Sequence, residues 1–406
     1  MGTRLPSVET RLAKTPAVVR HVPRARREPG AARRSQGRPL LRGGAYPWGL
    51  ALLVAGLWTS AFGAAGCGTA PATSTGDAGG APSTGSQGGA TAEGGATAET
   101  STTAVGAGGS GSGAGGSGGE ASCDEPETLL DLAYEPPPGV DGALATLDLV
   151  RCRGAEPRPL ALLVHGGSWV GGDKANFRTA SPDFIPWWLQ RGYAVAAVNF
   201  RLASPVGESL DVGPMDQARD LAHALAWLHD HAELYGIDPA QTIAVGYSSG
   251  AHLVALLGAD GRYLSEVELP EERITATISL DVHVYDVPFA LDLMVGSVDE
   301  QNIPLIEHLF GDTESEQLEA SPIAYLEGYV APALLVSVQP SPAEPGTHGY
   351  IVSQAAAHYA EALVAAGHTA ATHHDSDESH ASLAQGFGAE GDGVTESVGS
   401  FLDMLP

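Results

Sequence analysis

Residues 242–253 constrain the fold of this chain more than any other part of its sequence. They read TIAVGYSSGAHL, in which an apolar, β-branched run ends at Gly246, Ser248 follows two residues later, and Gly250 precedes a Leu- and Ala-rich segment at helical spacing. This pattern predicts a strand, a sharp turn and a helix, whose backbones pass closely enough to require small residues beside Ser248. Because such a strained turn lifts the serine Oγ clear of the sheet, we predict that Ser248 is a nucleophile. The alternative is a packing turn without a chemical role.

The rest of residues 123–406 alternates short apolar runs with helical patterns. Two of the runs, 160–164 and 193–199, are apolar throughout, which is typical of strands covered on both faces. Strands are predicted at 129–134, 144–150, 160–164, 193–199, 242–245, 274–280, 333–338 and 368–374, and helices at 182–190, 214–235, 351–366 and 394–404. The first two strands are expected to pair antiparallel. Repeated strand–helix units otherwise predict an α/β fold, a mostly parallel sheet with helices on both faces, and a site at the carboxyl ends of its strands.

The amino-terminal part has a different composition. Eleven of the 21 Lys and Arg residues precede position 48, whereas all but two of the 48 acidic residues follow it. An uncharged apolar segment at 48–63 follows this basic region, and small residues lead to Cys67. We therefore predict an Arg-rich region and signal peptide at 1–66 rather than a membrane-spanning helix. The ending Ala-Ala-Gly-Cys resembles the lipobox of bacterial lipoproteins, which implies lipidation of Cys67; an ordinary signal peptide cut nearby is the alternative.

Residues 67–122 are predicted to form a flexible tether. From residue 68 they are almost entirely Gly, Ala, Ser and Thr, with Val105 as the one sizeable aliphatic side chain. Such a segment buries too little surface to fold, and as a Gly/Ser-rich coil it would span roughly 40 Å. The expected protein is thus exported, either anchored as a lipoprotein in the bacterial outer membrane or cell surface, or secreted. Its strongly acidic globular part disfavours nucleic acid as a partner.

The globular part, residues 123–406, is expected to be a single domain. It contains two cysteines, Cys123 at its first residue and Cys152 just after the second predicted strand. Export favours a disulfide between them that fixes the amino-terminal edge, and two free thiols are the alternative.

Further motifs support a more specific interpretation. HGGSW at 165–169 follows one predicted strand, NFRL at 199–202 follows the next, and IDP at 237–239 precedes the strand that leads to Ser248. Together with residues 242–253 they resemble the α/β-hydrolase superfamily, in particular its esterase branch related to hormone-sensitive lipase, feruloyl esterases and arylformamidases. The resemblance extends over nearly all of residues 129–406. A small cap region is expected at 282–330.

The resemblance also implies roles for individual residues. Two glycines at a strand end allow close approach of backbone N–H groups, and Gly166, Gly167 and Ser249 would supply those of an oxyanion hole. The histidine of such a site lies between the last strand and the last helix, where this chain has His380. By the same resemblance, His165 would shape its loop, Trp169 would line the pocket, and Arg201 would pair with an acid such as Asp220.

The acid of the site is where the sequence departs from its relatives. They commonly place an aspartate in the turn after the strand that matches 333–338, and Ser341 stands at that position here. Glu344 is the nearest acid in the same turn, so we predict that it supports His380. The alternatives are Asp281 or Asp286 after the preceding strand, or a Ser–His dyad without an acid.

The histidine-rich segment that precedes His380 is not expected to bind a metal. His373, His374, Asp375 and Asp377 are close in sequence, but adjacent residues of a strand point to opposite faces. No cofactor is implied either. The expected function is cleavage of a small-molecule or carbohydrate-linked ester through an acyl-enzyme. An amidase or formamidase that uses the same residues, and a non-catalytic binding domain of the same fold, are the alternatives.

Overall fold

The computed structural model describes residues 123, 125–154, 156–338 and 344–405. The predicted signal peptide, the lipidation site Cys67, the tether at 67–122 and Ser341 lie outside these residues. Among the described helices, none combines the length and apolar character needed to cross a membrane.

The centre of the described structure is an eight-stranded sheet. Its strands are β1 (Pro126–Ala133), β2 (Thr146–Cys152), β3 (Arg158–Val164), β4 (Ala194–Val198), β5 (Ile237–Tyr247), β6 (Ile274–Leu280), β7 (Ala333–Val338) and β8 (Ala370–Asp375). They are arranged in the order β1-β2-β4-β3-β5-β6-β7-β8. β2 pairs antiparallel with both β1 and β4, and the remaining neighbours are parallel. The mostly parallel sheet and its antiparallel opening pair are as predicted.

Twelve α-helices connect or follow these strands within the described residues. They are α1 (Asn176–Thr179), α2 (Phe184–Gln190), α3 (Pro214–Asp230), α4 (Ala232–Tyr235), α5 (Ser249–Ala259), α6 (Arg262–Glu266), α7 (Val287–Met294), α8 (Ile303–Phe310), α9 (Glu314–Glu319), α10 (His348–Ala366), α11 (His380–Gly386) and α12 (Gly393–Met404). Short 3₁₀ helices lie at Gly142–Leu144, Glu271–Arg273, Glu300–Asn302 and Pro322–Ala324. The region expected to form a cap, 282–330, thus contains α7, α8 and α9.

The sheet is buried on both faces. Along β3, Leu160 and Leu162 belong to one apolar cluster, whereas Ala161 and Leu163 belong to a second. Because successive strand residues point to opposite faces, the two clusters lie on opposite sides of the sheet. This explains why residues 160–164 of β3 are apolar throughout rather than alternating.

The amino-terminal edge of the domain is closed by a disulfide between Cys123 and Cys152, as expected. The bond joins the segment before β1 to the end of β2, across 29 residues of chain. It constrains the edge pair β1 and β2, which among the described strands has a neighbour on one side only.

Candidate active site

The turn between β5 and α5 has the sharp geometry that its sequence predicts. Ser248 lies at φ 54° and ψ −124°, a strained backbone conformation for a residue other than glycine. A Cβ atom on Gly246 would collide with the carbonyl of Gly250, and one on Gly250 would collide with the carbonyl of Val164. Both positions therefore require glycine because backbones meet there. The serine stays partly exposed, although the residues beside it are buried.

The glycine loop after β3 lies directly against this turn. A Cβ atom on Gly166 would come within 2.8 Å of Ser248 Cβ, and Gly167 has a φ of 134°, which is favourable for glycine alone. The loop that carries Gly166 and Gly167 therefore borders the serine. Ser249 also borders it, as the first residue of α5. Of the three predicted oxyanion donors, Gly166 and Ser249 thus border Ser248, and Gly167 follows Gly166 in the same loop.

His380 faces the serine from the other side. Its Nε2 is 3.1 Å from Ser248 Oγ. His380 is the first residue of α11, and Ser379 before it accepts a hydrogen bond from the Ser382 N–H at 3.1 Å, which fixes the start of that helix. The Tyr247 hydroxyl donates to the His380 carbonyl. Side-chain and backbone contacts therefore both hold the imidazole against the serine.

The acid in contact with His380 is Asp281, not the predicted Glu344. Asp281 Oδ2 is 2.5 Å from His380 Nδ1, and its side chain is fully buried. Glu344, by contrast, is exposed. Asp286, the other alternative, caps α7 through the Phe289 N–H and lies 3.1 Å from His358 Nε2. The prediction failed because Asp281 follows β6 at a φ of 61°, which turns its chain at the strand end next to the serine turn.

Asp281 is held as a carboxylate. Burial alone would raise its pKa, but hydrogen bonds and positive charge from His348 and His380 hold the pKa of this carboxyl well below its ordinary value. Its Oδ1 accepts the Val338 N–H at 3.0 Å. Its orientation is thus fixed from the neighbouring strand β7.

A second histidine lies at the same carboxylate. His348 Nε2 is 3.6 Å from Asp281 Oδ2, and its Nδ1 is 2.7 Å from Asp299 Oδ2. Atoms of Asp281, His348 and His380 that are able to bind metal lie within 4.8 Å of one another. The contacts of His380 with Asp281 and of His348 with Asp299 are histidine–carboxylate hydrogen bonds, whereas the 3.6 Å between His348 Nε2 and Asp281 Oδ2 is an ion-pair distance. Neither His348 nor Asp299 was predicted; the available signal was a histidine just after the turn where an acid was expected.

The strand-end motifs have structural roles. His165 Nδ1 lies 2.9 Å from the Gly166 carbonyl, and its ring stacks on Phe200. Burial lowers the pKa of His165 to about 4, so the ring is neutral and shapes the loop as expected. Trp169 differs from the prediction of a pocket wall, because it is 5% exposed and packs edge-on against His252 and Phe310.

The expected pair of Arg201 and Asp220 is present. The Arg201 guanidinium donates to both carboxylate oxygens, with Nη2 2.8 Å from Oδ1 and Nε 2.9 Å from Oδ2. The Arg201 backbone N–H donates to the same carboxylate. Since Asp220 is buried, this pair fixes the loop after β4 to helix α3.

The overall fold is similar to that of solved structures. Esterase B from Lactobacillus rhamnosis superposes with a TM-score of 0.52 at 19% identity, covering 71% of this chain and 86% of that one. The chain has the α/β-hydrolase fold. The BD-FAE family model matches residues 147–342 of this chain, a range that begins within β2 and extends past the end of β7.

Curated relatives of this chain match over shorter segments. The non-reducing polyketide synthase adrD of Penicillium rubens is 33% identical over 109 residues, which are 25% of this chain and 4% of the synthase. The probable carboxylic ester hydrolase LipM of Mycobacterium tuberculosis is 29% identical over 182 residues, which are 43% of this chain and 39% of that protein. The matched part of the chain therefore spans well under two thirds of the length of these curated relatives.

Proposed function

We propose that this α/β-hydrolase is a serine carboxylesterase that cleaves small-molecule or carbohydrate-linked esters through an acyl-enzyme. The observation that carries the proposal is the continuous series of contacts from Ser248 Oγ to His380 Nε2 at 3.1 Å and from His380 Nδ1 to Asp281 Oδ2 at 2.5 Å. This is the arrangement of nucleophile, base and supporting acid that acyl transfer requires. The name of LipM, a probable carboxylic ester hydrolase, agrees with it.

The contacts define which proton each group holds. A carboxylate accepts only, so His380 donates its Nδ1–H to Asp281 and presents the Nε2 lone pair to the Ser248 hydroxyl. His380 then removes the serine proton as Oγ attacks the ester carbonyl, and returns that proton to the leaving alcohol. A water molecule activated by the same imidazole releases the acid and restores Ser248. Asp281 stabilises the imidazolium that forms in each half-reaction.

The negative charge of each tetrahedral intermediate requires donors beside the serine. In this proposal the backbone N–H groups of Gly166, Gly167 and Ser249 supply them. Their support is the close packing of the glycine loop on the serine turn, together with the position of Ser249 at the first turn of the eleven-residue helix α5. The helix dipole adds partial positive charge at that end.

The proposal is tested by labelling the full chain with a fluorophosphonate probe. An activated serine reacts rapidly, so we expect labelling of the wild type and none of Ser248→Ala. Ser400→Ala is the matched control, because Ser400 is an exposed serine on α12. Absence of labelling in the folded wild type would refute the proposal and favour a non-catalytic binding domain of the same fold. Comparison of p-nitrophenyl acetate with p-nitroacetanilide then separates an esterase from an amidase.

We also propose that the domain is tethered to a membrane through lipidated Cys67, although that residue lies outside the described part of the chain. The support is the sequence before Cys67 and the tether behind it. The protein expressed in a bacterial host is expected to partition into detergent, and Cys67→Ser to partition into the aqueous phase. A wild-type chain recovered in the aqueous phase with an amino terminus other than Cys67 would refute the anchor.

A further inference from the structure

His348 links the triad carboxylate to a second acid. It is the first residue of α10, and it lies between Asp281 and Asp299 with one ring nitrogen directed to each. The Nδ1 contact to Asp299 is a hydrogen bond of 2.7 Å. The Nε2 atom is buried and has no hydrogen-bond partner at normal distance among the described residues. The Asp281 carboxylate, 3.6 Å away, is the acceptor that this atom faces.

The protonation of His348 follows from these neighbours. A neutral ring that donates Nδ1–H to Asp299 would direct the lone pair of Nε2 at the Asp281 carboxylate, which is unfavourable. The imidazolium instead presents an N–H to each acid, and both acids are buried, Asp281 at 2% and Asp299 at 7% exposure. Burial by itself would lower the pKa of His348, but the two carboxylates raise it to about 10.

The same histidine also lies beside the base. The rings of His348 and His380 are 5.8 Å apart and nearly perpendicular, so two imidazoles share the Asp281 carboxylate. The other titratable neighbour is His283, whose ring is 6.2 Å from that of His348. Burial, followed by the charge of His348, lowers the pKa of His283 to about 4, so His283 adds no charge at neutral pH.

We propose that His348 is a permanently charged positioning residue, held by Asp299, that acts on the base His380 through the shared carboxylate of Asp281. This inference rests on the proposed esterase function. Two effects follow. The imidazolium fixes Asp281 Oδ2 between the two rings, and its positive charge repels a second positive charge on the nearby His380 ring.

The test compares the pH dependence of kcat/KM for p-nitrophenyl acetate in wild type and His348→Gln. Loss of a unit charge about 6 Å from the base should move the acid limb of the profile upward by about 1–2 pH units, at an effective dielectric constant of roughly 20–40. His348→Lys keeps the charge and should move the limb back towards its wild-type position. A role limited to packing would lower the rate in both variants without this difference.

The matched control is His358→Gln. His358 lies on the same helix and also pairs with an aspartate, Asp286, at 3.1 Å, so its replacement should leave the acid limb unchanged. An unshifted limb in His348→Gln, or the same shift in His358→Gln, would overturn the proposal.

A measurement independent of hydrolysis separates this inference from the proposed function. In the full chain labelled with ¹⁵N-histidine, one imidazolium signal that is missing in His348→Gln should persist above pH 8.5. A His348 signal that titrates near pH 6.5 would refute the inference even in an active enzyme. A persistent signal in a protein that neither hydrolyses esters nor reacts with fluorophosphonate would instead refute the esterase proposal.

Discussion

Asp281→Asn tests the assignment of the acid most directly. The carboxamide is nearly the same size as the carboxylate, and its oxygen retains the contact with the Val338 N–H at 3.0 Å. Its NH₂ group then takes the place of Oδ2, 2.5 Å from His380 Nδ1. Because an amide NH₂ donates, it stabilises the imidazole tautomer with the proton on Nε2, and that nitrogen is then unable to accept the Ser248 proton.

The magnitude follows from this change of tautomer and from the lost carboxylate charge. We expect kcat to fall by about 10³–10⁴, which corresponds to about 4–5.5 kcal/mol of transition-state stabilisation. KM should change little, because Asp281 stabilises imidazolium formation rather than the bound ester. Steady-state hydrolysis of p-nitrophenyl acetate measures both constants, and thermal unfolding verifies that each variant is folded.

The matched variant is Glu344→Gln, at the exposed carboxylate expected from the sequence. Its kcat should stay within about twofold of the wild type, since exposed groups without buried partners have small effects. If Glu344→Gln were slow and Asp281→Asn fast, the contact between Asp281 and His380 would not be the catalytic one. Near-wild-type rates in both variants would instead indicate a Ser–His dyad.

Three further predictions concern stability. Cys152→Ser removes a disulfide that spans 29 residues of chain. In the chain-entropy model this should lower the free energy of unfolding, measured in urea, by about 3–4 kcal/mol. Equal stability of the wild type and the variant would refute this. Arg201→Lys gives up the two-pronged contact with buried Asp220 and should cost about 1–3 kcal/mol in the same assay, whereas Arg153→Lys, at an exposed ion pair, should leave the unfolding free energy nearly unchanged. The pKa of His348 is raised in the folded state to about 10, so its stabilising effect is complete below its unfolded pKa of about 6.5 and disappears as pH rises through 10. The difference in unfolding free energy between wild type and His348→Gln should therefore shrink from pH 6.5 to pH 10, and a constant difference would contradict the charged state.

The sequence predicted the sheet well because its signals are local. β6 and β7 have the predicted bounds. The turn at Ser248 follows from the glycines beside it, at positions where a Cβ atom would collide with the neighbouring backbone. The predicted strands at 144–150 and 193–199 differ from β2 and β4 by one or two residues at their ends, where strand pairing decides the boundary. Periodicity and turn chemistry therefore sufficed for the fold and for the position of the serine.

The acid and its neighbours depend on contacts that no local pattern encodes. Asp281 and Glu344 both follow parallel strands, so strand order alone allows either of them to lie near His380. The decision rests on the positive φ of Asp281 and on its burial beneath His380. His348 and Asp299 are 49 residues apart in sequence. Their pairing becomes visible only in the folded chain, where the start of α10 lies against the segment that contains Asp299.

The position of His380 depends on the edge strand β8. Among the described strands β8 lies at one edge of the sheet, and the chain that leaves it brings His380 to Ser248, after β5, and to Asp281, after β6. Edge strands unfold locally at a lower free energy than the central strands of a sheet. Mild denaturant should therefore move His380 away from Ser248 while the serine turn, at the end of the central strand β5, is still folded. Inactivation would then precede global unfolding and reverse on dilution, so activity and fold stability would be separate properties of one chain.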